Sequence, residues 1–220
     1  MATLTVENYV KAIYQICAEP DGDTAATGQL ASALGVSPGT VTSMLKTLGE
    51  SGLATYTPYE GVQLTEAGRQ LALDIVRRHR LIELFLARTL DLSWAEVHEE
   101  AEHLEHAVSD ALVDRIDAFL GHPNVDPHGD PIPRSDGSLP SARTRSLVDC
   151  QPGESFRLAR VTDQSVDFLG FLTRCELALD CRLEIVENRP DAGVVTLLVG
   201  GRNVTLGYEP ARKLRVAAAD

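Results

Sequence analysis

Helical periodicity runs through the first 120 residues and stops at Gly121, and this restricts the fold more than any other feature of the sequence. Apolar residues recur at the spacing of one helix face from Thr5 to about Cys17, and again from about Thr65 to Leu90. A capping-box pattern at Ser93–Glu96 predicts one further helix that reaches about Leu120. The first half of the chain is therefore predicted to be helical.

The composition of the sequence changes after Gly121. The stretch up to about Cys150 is rich in Pro, Gly and Ser, which is typical of an extended linker. A helix is predicted from Val166 to Leu177, among four runs that have the composition of strands. These runs are Phe156–Val161, Arg182–Val186, Val194–Val199 and Asn203–Leu206. The predicted fold class is mainly α, with a small, β-barrel-like module at the C-terminal end.

Composition is that of an ordinary globular protein. With 220 residues, 44% of them hydrophobic, the chain can bury a proper core. It has no apolar run near the roughly 20 residues that span a membrane, and no signal-like start, so we expect a cytoplasmic location. The four cysteines follow neither a paired zinc pattern nor a disulfide framework, and are expected to be reduced thiols.

Negative charge is concentrated in the middle of the chain. Of the net charge of -12, residues 81–125 carry -8, because they hold ten acidic and two basic residues. Residues 1–80 and 126–220 each carry only -2. A cation-binding site needs such a segment and a nucleic-acid-binding face does not, although acidic runs are commonly no more than solvated helix faces.

Two short helices and a hairpin are predicted within residues 27–65. Thr27 is placed to cap a helix that stops at Gly35, and Ser37 with Pro38 begins a third helix that runs to Glu50. Short strands are predicted at Leu53–Tyr56 and Val62–Thr65, around a turn. The pattern is that of a winged helix-turn-helix, whose third helix enters the major groove of DNA, although plain three-helix cores and protein-interaction domains share it.

Small polar side chains on the third helix suit contact with base edges or phosphates, and a lysine there can pair with a phosphate. Tyrosines in the hairpin can reach the DNA backbone. The candidate DNA-binding residues are Thr27, Ser37, Pro38, Gly39, Thr40, Thr42, Ser43, Lys46, Tyr56 and Tyr59.

Histidines and carboxylates recur at helical spacing within the acidic segment. His79 and Glu83 are four residues apart and share one face of the long helix. On the next predicted helix, a second face combines two carboxylates with two imidazoles: His98, Glu102, Glu105 and His106. Carboxylates beside an apolar stripe are costly when unpaired, and a divalent cation removes that cost. Taken singly, each of these residues is more commonly a solvated side chain.

The type of ligand favours Mn²⁺ or Fe²⁺, because oxygen donors outnumber imidazoles and no thiol is near. Zn²⁺, Co²⁺, Ni²⁺ or Cd²⁺ can substitute in vitro, since late divalent ions bind most ligand sets more tightly.

Several motifs together resemble the diphtheria toxin repressor and manganese transport regulator family of metal-dependent transcriptional regulators. The matching segments cover nearly the full length, and they are Glu7–Val10, Val36–Lys46, Arg78–Leu81 with Glu83, Val97–Glu102 with Glu105 and His106, and His122–Pro133. The resemblance implies a winged helix-turn-helix DNA-binding domain at 1–65 and a helical metal-binding and dimerisation domain at 66–133. A linker at 134–149 and an SH3-like (FeoA-like) β-barrel domain at 150–220 follow.

The same resemblance implies two metal sites in each subunit. The regulatory site takes Glu102, Glu105 and His106, with Asn8 of the first helix as the residue that links ion binding to the DNA-binding domain. The ancillary site takes His79, Glu83 and His98. Further residues that complete it in relatives match Asp126, His128 and Asp163.

Manganese is the expected ion, because manganese-responsive members of the family have a carboxylate at the position of Glu102 and iron-responsive members a cysteine. Three residues depart from the family pattern: Asn8 stands in place of Asp, Lys11 in place of Glu, and Asp126 in place of Cys. An iron-responsive repressor is therefore the alternative within the family.

The resemblance implies a homodimer that represses metal-homeostasis genes, such as those of manganese transport, by binding a pseudo-palindromic double-stranded operator, and that is not an enzyme. A metal-dependent hydrolase and a metal-buffering interaction module are the alternatives from other classes, although no H-E-x-x-H, G-x-S-x-G or phosphate-binding glycine motif is present.

Overall fold

The computed structural model describes residues 3–18, 22–141 and 143–219, and the chain divides into two compact units. One unit comprises Met1–Arg78 with Pro133–Ser138, and the other His79–Ile132 with Leu139–Asp220. A long helix, Glu66–Leu90, contributes residues to both units. Among the described residues, no helix has the length and apolar character needed to cross a bilayer.

The first unit holds three helices and a hairpin, in the order expected of a winged helix-turn-helix. The helices are α1 (Leu4–Cys17), α2 (Thr27–Leu34) and α3 (Pro38–Glu50), and the antiparallel strands are β1 (Ala54–Thr57) and β2 (Gly61–Leu64). One face of each helix enters a common core, which includes Ile13, Leu30 and Leu45, all fully buried. Burial of these faces stabilises helices that would be marginal in isolation.

The helix starts in this unit follow capping chemistry. The Ser37 Oγ accepts a hydrogen bond from the Thr40 backbone N–H at 3.2 Å, and Pro38 occupies the first turn, as predicted. The prediction that Thr27 caps α2 is wrong, because Thr27 is already helical and Ala26 is the N-cap residue. The Gln29 side chain satisfies the Ala26 backbone N–H at 2.9 Å, so α2 starts there without a hydroxyl cap.

In the second unit, the helix that the sequence predicts from Ser93 to Leu120 is in fact two helices. Helix α4 (Glu66–Leu90) is followed by α5 (Val97–Leu104) and α6 (Asp110–Phe119). The break is explained by Ser109, whose side chain accepts a hydrogen bond from the Leu112 backbone N–H and so starts a new helix. Glu105 is consequently the C-cap of α5, and His106 lies in the turn beyond it.

The start of the predicted extended linker is a folded loop. The Oδ1 of Asp126 accepts hydrogen bonds from the backbone N–H groups of His128, at 2.8 Å, and Asp130, at 2.9 Å. The loop is closed by the Ile132 N–H, which donates to the carbonyl of Asn124. An aspartate that bonds the backbone two and four residues ahead stabilises a tight turn, so this segment is ordered by its own side chain.

The C-terminal part of the second unit is a six-stranded antiparallel sheet in the order β3-β8-β4-β5-β6-β7. Its strands are β3 (Arg145–Ser146), β4 (Ser155–Val161), β5 (Arg182–Arg189), β6 (Val194–Val199), β7 (Arg202–Gly207) and β8 (Leu214–Ala218). Helices α7 (Val166–Arg174) and α8 (Tyr208–Arg212) accompany it. The four predicted strands are present, whereas β3, β8 and α8 escaped prediction, and α7 ends at Arg174 rather than at Leu177.

This sheet is SH3-like, with its core on one face. Leu158, Ile185 and Leu197 alternate with exposed or half-buried neighbours, and Leu169 and Leu172 of α7 cover them. Among the described strands, the outermost ones, β3 and β7, do not pair with each other, so the sheet is not closed into a barrel.

Candidate metal centre and DNA-binding helix

His79 is the centre of a cluster of acidic and imidazole side chains in the second unit. It is 6% exposed on α4, one turn before Glu83, as the four-residue spacing predicts. Its Nδ1 lies 2.6 Å from Oε2 of Glu105, and its Nε2 lies 2.9 Å from Oε1 of Glu83. The ring therefore has a buried carboxylate at each nitrogen.

Residues of α5 and of the turn after it also contact this cluster. His98 is half-buried, with Nδ1 at 3.2 Å from both Oε1 of Glu83 and Nε2 of His79. The Oε1 of Glu102 lies 3.7 Å from Nδ1 of His79 and 3.8 Å from Nε2 of His98. The Nε2 of His106, in the turn after α5, lies 3.1 Å from Oε1 of Glu105.

One group of three possible ligands is fully buried. Glu83, Asp126 and His128 offer ligand atoms within 4.8 Å of one another. The Oε2 of Glu83 and the Nδ1 of His128 are 3.8 Å apart, and both are buried without a hydrogen-bond partner among the described residues. Buried acceptors without a donor are rare, and two that face each other are what a cation would satisfy.

The pKa values of Glu83 and Asp126 shift in opposite directions. Burial raises the pKa of Glu83, but hydrogen bonds from His79 and His98 and the charges of His79 and His128 outweigh it, so its pKa is lowered overall. Burial, with the charges of Asp130 and Glu83, raises the pKa of Asp126 well above its usual range, against the opposing charge of Arg80.

The donor set fits a divalent ion. Besides the buried group, two overlapping groups have ligand atoms within 4.8 Å of one another: His79 with Glu83 and His98, and His79 with Glu102 and Glu105. Within the described ranges, none of these groups includes a thiol. Oxygen and imidazole donors without sulfur suit Mn²⁺, Fe²⁺ and related ions.

Three predicted ligands lie outside these groups, and one of them, His106, contacts a member of the second group, Glu105. Asp163 has both oxygens engaged, since Oδ2 accepts from Nζ of Lys213 at 2.7 Å and Oδ1 from the Ser165 backbone N–H at 2.9 Å. Asn8 lies on α1 in the first unit, and its Oδ1 is a buried acceptor without a hydrogen-bond partner in the part of the chain that is described.

Two charged residues near the centre, Arg80 and Asp130, were not predicted from the sequence to take part in it. Arg80 donates to the carbonyl of Pro131 at 2.5 Å and lies 3.6 Å from Oδ2 of Asp126. Asp130 pairs with Arg160 and accepts from Nε2 of Gln164 at 2.7 Å. The partners of Asp130 are 30 residues or more away in the sequence, so no local spacing indicated these contacts.

The predicted DNA-binding residues lie in the first unit. Gly39, Thr40, Ser43 and Lys46 are exposed on α3, as are Ser37 and Pro38 at its start, whereas Thr27 and Thr42 are half-buried. The Thr42 hydroxyl donates to the carbonyl of Pro38 at 3.0 Å. In the hairpin, Tyr56 is half-buried and Tyr59 fully exposed at the turn.

A winged helix-turn-helix, joined in one chain to a carboxylate and histidine centre, defines the class of metal-responsive DNA-binding regulators. Family models agree with this class along the chain. Residues 1–62 match the N-terminal DNA-binding domain of iron-dependent repressors, residues 65–134 their metal-binding and dimerisation domain, and residues 145–218 the FeoA domain.

Relatives resemble the chain over nearly its whole length. The iron-dependent repressor IdeR of Mycobacterium tuberculosis (strain ATCC 25618 / H37Rv) is 31% identical over 224 residues, which cover 96% of each chain. A solved manganese-dependent transcriptional repressor in complex with manganese is 40% identical, with a TM-score of 0.88, and covers 97% of this chain and 100% of its own. The Zn²⁺-bound structure of ScaR is 32% identical, with a TM-score of 0.81 and coverage of 97% and 99%.

The chain belongs to the diphtheria toxin repressor and manganese transport regulator family of metal-dependent transcriptional regulators. Its partners are DNA, a second copy of itself and divalent metal ions. The family consists of repressors and not of enzymes, which excludes the hydrolase alternative.

Proposed function

We propose that this protein is a Mn²⁺-activated repressor of metal-homeostasis genes, such as those of manganese transport. The observation that carries the proposal is the convergence of Glu102 and Glu105 on one nitrogen of His79, with no thiol among the described ligands of that group. Two carboxylates and one imidazole favour Mn²⁺ over ions that prefer sulfur. A regulator of genes acts where the DNA is, which agrees with the cytoplasmic location expected from the sequence.

We assign the ligands in two sets that share His79. Glu102, Glu105 and His106 belong to the regulatory set, and the contact of His79 with Glu105 joins it to them. Glu83 and His98, with His128 and Asp126, belong to the ancillary set. The resemblance alone assigns Asn8 to the regulatory set and Asp163 to the ancillary set.

The bound ion supplies a fixed positive charge that holds several acidic side chains together. Hydrogen bonds from His79 reach both Glu83 and Glu105, and Glu83 also lies within hydrogen-bond distance of His98. The turn that carries Glu105 and His106 connects α5 to α6. Ordering of this turn is the part of activation that these residues perform, and it selects the DNA-binding arrangement of the dimer.

Helix α3 is the proposed reading element, placed in the major groove of each half of a pseudo-palindromic operator. Ser43 and Lys46 are exposed on it, and we propose that the fully exposed Tyr59, at the turn of the hairpin, contacts the DNA backbone. The other proposed contacts are Thr27, Ser37, Pro38, Gly39, Thr40, Thr42 and Tyr56.

Metal-dependent DNA binding tests the function. In a gel-shift assay on duplexes selected from a random pool by the protein with Mn²⁺, we expect retention with Mn²⁺ and loss with a chelator. The matched variant Glu102→Cys should move the preference from Mn²⁺ towards Fe²⁺ by about 10-fold, because thiolate replaces a hard oxygen donor. If retention of the duplex were the same with Mn²⁺ and with the chelator, the protein would be an interaction or metal-buffering module instead.

The response to Mn²⁺ and to Fe²⁺ distinguishes a manganese-activated repressor from an iron-activated one. The relatedness to iron-dependent repressors favours Fe²⁺ as the second candidate. Stronger activation of the wild-type protein by Fe²⁺ than by Mn²⁺ under anaerobic conditions would establish that candidate. Linkage also requires that operator DNA tighten metal binding by the factor by which metal tightens DNA binding, so equal metal affinity with and without DNA would contradict the mechanism.

Replacing Lys46 with alanine is expected to weaken binding to all DNA sequences alike. A dimer would lose one phosphate contact from each α3, so the slope of log K against log salt should fall by about 2. Fluorescence anisotropy at several salt concentrations measures this slope. Lys46→Arg keeps the charge and should retain the slope, whereas a change confined to one duplex sequence would show that Lys46 reads a base.

A further inference from the structure

His128 is held on two sides by the rest of the second unit. Its Nε2 lies 2.6 Å from the backbone carbonyl of Trp94, and its own carbonyl accepts from the Val161 N–H of β4 at 2.9 Å. The imidazole is fully buried and nearly parallel to the indole of Trp94, at an angle of 13° and a centroid distance of 6.4 Å. The ring therefore has one orientation, set by contacts outside its own loop.

This orientation decides which nitrogen faces Glu83. A carbonyl can only accept a hydrogen bond, so Nε2 of His128 carries the hydrogen and Nδ1 has the lone pair in the neutral ring. Nδ1 is the atom 3.8 Å from Oε2 of Glu83. The Trp94 carbonyl thus presents to Glu83 the nitrogen that is able to bind a cation.

Gly129 allows the sheet to approach the loop. Its φ is +85°, and a Cβ at this position would lie 2.0 Å from the carbonyl oxygen of Ala159 and 2.7 Å from Cα of Arg160. Any side chain would have to push β4 away, and β4 supplies the Val161 N–H that holds His128.

Trp94 is tied to the same sheet. Its Nε1 donates to Oγ1 of Thr173 on α7 at 3.2 Å, and its ring packs against the sheet core. Its backbone carbonyl is the acceptor for His128. Val161 of β4 therefore holds the backbone of His128, and Thr173 of α7 holds Trp94, whose carbonyl holds the His128 ring.

We propose that Trp94 and Gly129 are positioning residues through which the C-terminal sheet holds His128 against Glu83 and thereby sets the affinity of that pair for a divalent cation. This inference rests on the proposed function, since it takes Glu83 and His128 as cation ligands. It differs from a ligand role, because neither Trp94 nor Gly129 offers a ligand side chain in this group.

Two glycines allow a matched test. Gly153 has a φ of +83°, close to that of Gly129, but a Cβ there meets nothing within 4 Å. Gly153→Ala therefore carries the same backbone strain as Gly129→Ala without the collision with β4. Binding of Mn²⁺ and Cd²⁺ to the full-length proteins is measured by calorimetry, with the number of ions and each affinity as readouts. We expect Gly129→Ala to lower the affinity for one of the bound ions by about 10-fold or more, and Gly153→Ala to leave that affinity unchanged.

The Trp94 variants keep the proposal testable if Gly129→Ala does not fold. Trp94→Phe retains a flat ring beside His128 but loses the hydrogen bond to Thr173, so its ion affinity should fall between those of the wild type and Trp94→Ala. Trp94→Ala should lose about as much affinity as Gly129→Ala. The ¹⁵N shifts of the His128 ring report its tautomer directly: a hydrogen on Nε2 is expected in the wild type, and a mixture in Trp94→Ala.

The outcomes separate this inference from the ligand assignment. His128→Ala should lower the affinity for the same ion. If it does so while Gly129→Ala and Trp94→Ala bind like the wild type, the positioning role is wrong and the ligand assignment stands. If His128→Ala binds like the wild type, the ligand assignment is wrong and the positioning role falls with it.

Discussion

Replacement of Glu105 by glutamine is expected to lower metal-activated DNA affinity by at least about 100-fold, since even residues that only support a metal ligand typically give 10- to 100-fold losses. Glu105 is fully buried and lies within 2.6 Å of His79 and 3.1 Å of His106. The glutamine has the same size, so the change removes one negative charge from the centre and little packing.

Anisotropy titrations with the selected duplex, at saturating and limiting Mn²⁺, measure the loss. Glu100→Gln is the matched control, because Glu100 is exposed on α5 and its replacement alters the net charge equally. Much higher Mn²⁺ should partly restore binding by Glu105→Gln. Equal DNA affinity of the two variants at limiting Mn²⁺ would remove Glu105 from the regulatory set.

Phe119→Glu is expected to convert the dimer to monomers and to weaken operator binding by about 100-fold or more, because two linked reading helices gain 10²- to 10⁴-fold from acting together. Phe119 is 70% exposed on α6, and Leu112, two turns earlier on the same face, is 46% exposed. Both lie within residues 65–134, which match the dimerisation domain. We propose that this apolar face of α6 contacts the second subunit, since exposed apolar patches mark interaction sites.

Sedimentation at micromolar concentrations gives the mass of the variant, and anisotropy its DNA affinity. Val166→Glu is the control, because Val166 is 67% exposed but lies on α7, in the sheet domain. The face is wrongly assigned if Phe119→Glu sediments as a dimer while Val166→Glu does too.

The sequence predicted the elements whose signals are local. Helix α3 starts at the expected Ser37–Pro38 cap, and α4 runs within one residue of its predicted ends. The break at Ser109 was missed because apolar spacing continues across it, and only the capping bond to Leu112 decides that a new helix begins. Strands β3 and β8 depend on pairing partners about 70 residues apart, which no local pattern records.

For the candidate site, the pairing of His79 with Glu83 followed from helical spacing alone. Glu102 and Glu105 lie close to His79, and His106 lies close to Glu105, although the single helix predicted for them was wrong. The resemblance named Asp126 and His128 as residues that complete the ancillary site, but the fold of their loop was not predicted, because Asp126 is held by backbone groups and by Arg80 of another element. Long-range contacts of this kind appear only in the folded chain.

The hydroxyls at the start of α3 have a consequence for the breadth of gene control. Ser37 and Thr40 bond each other and Thr42 bonds the preceding turn, so these hydroxyls are already engaged within the helix. If α3 reads DNA as proposed, few side chains discriminate bases, and each half-site would tolerate many substitutions. Selection among the million or more competing genomic sequences would then depend on the correct spacing of the two half-sites.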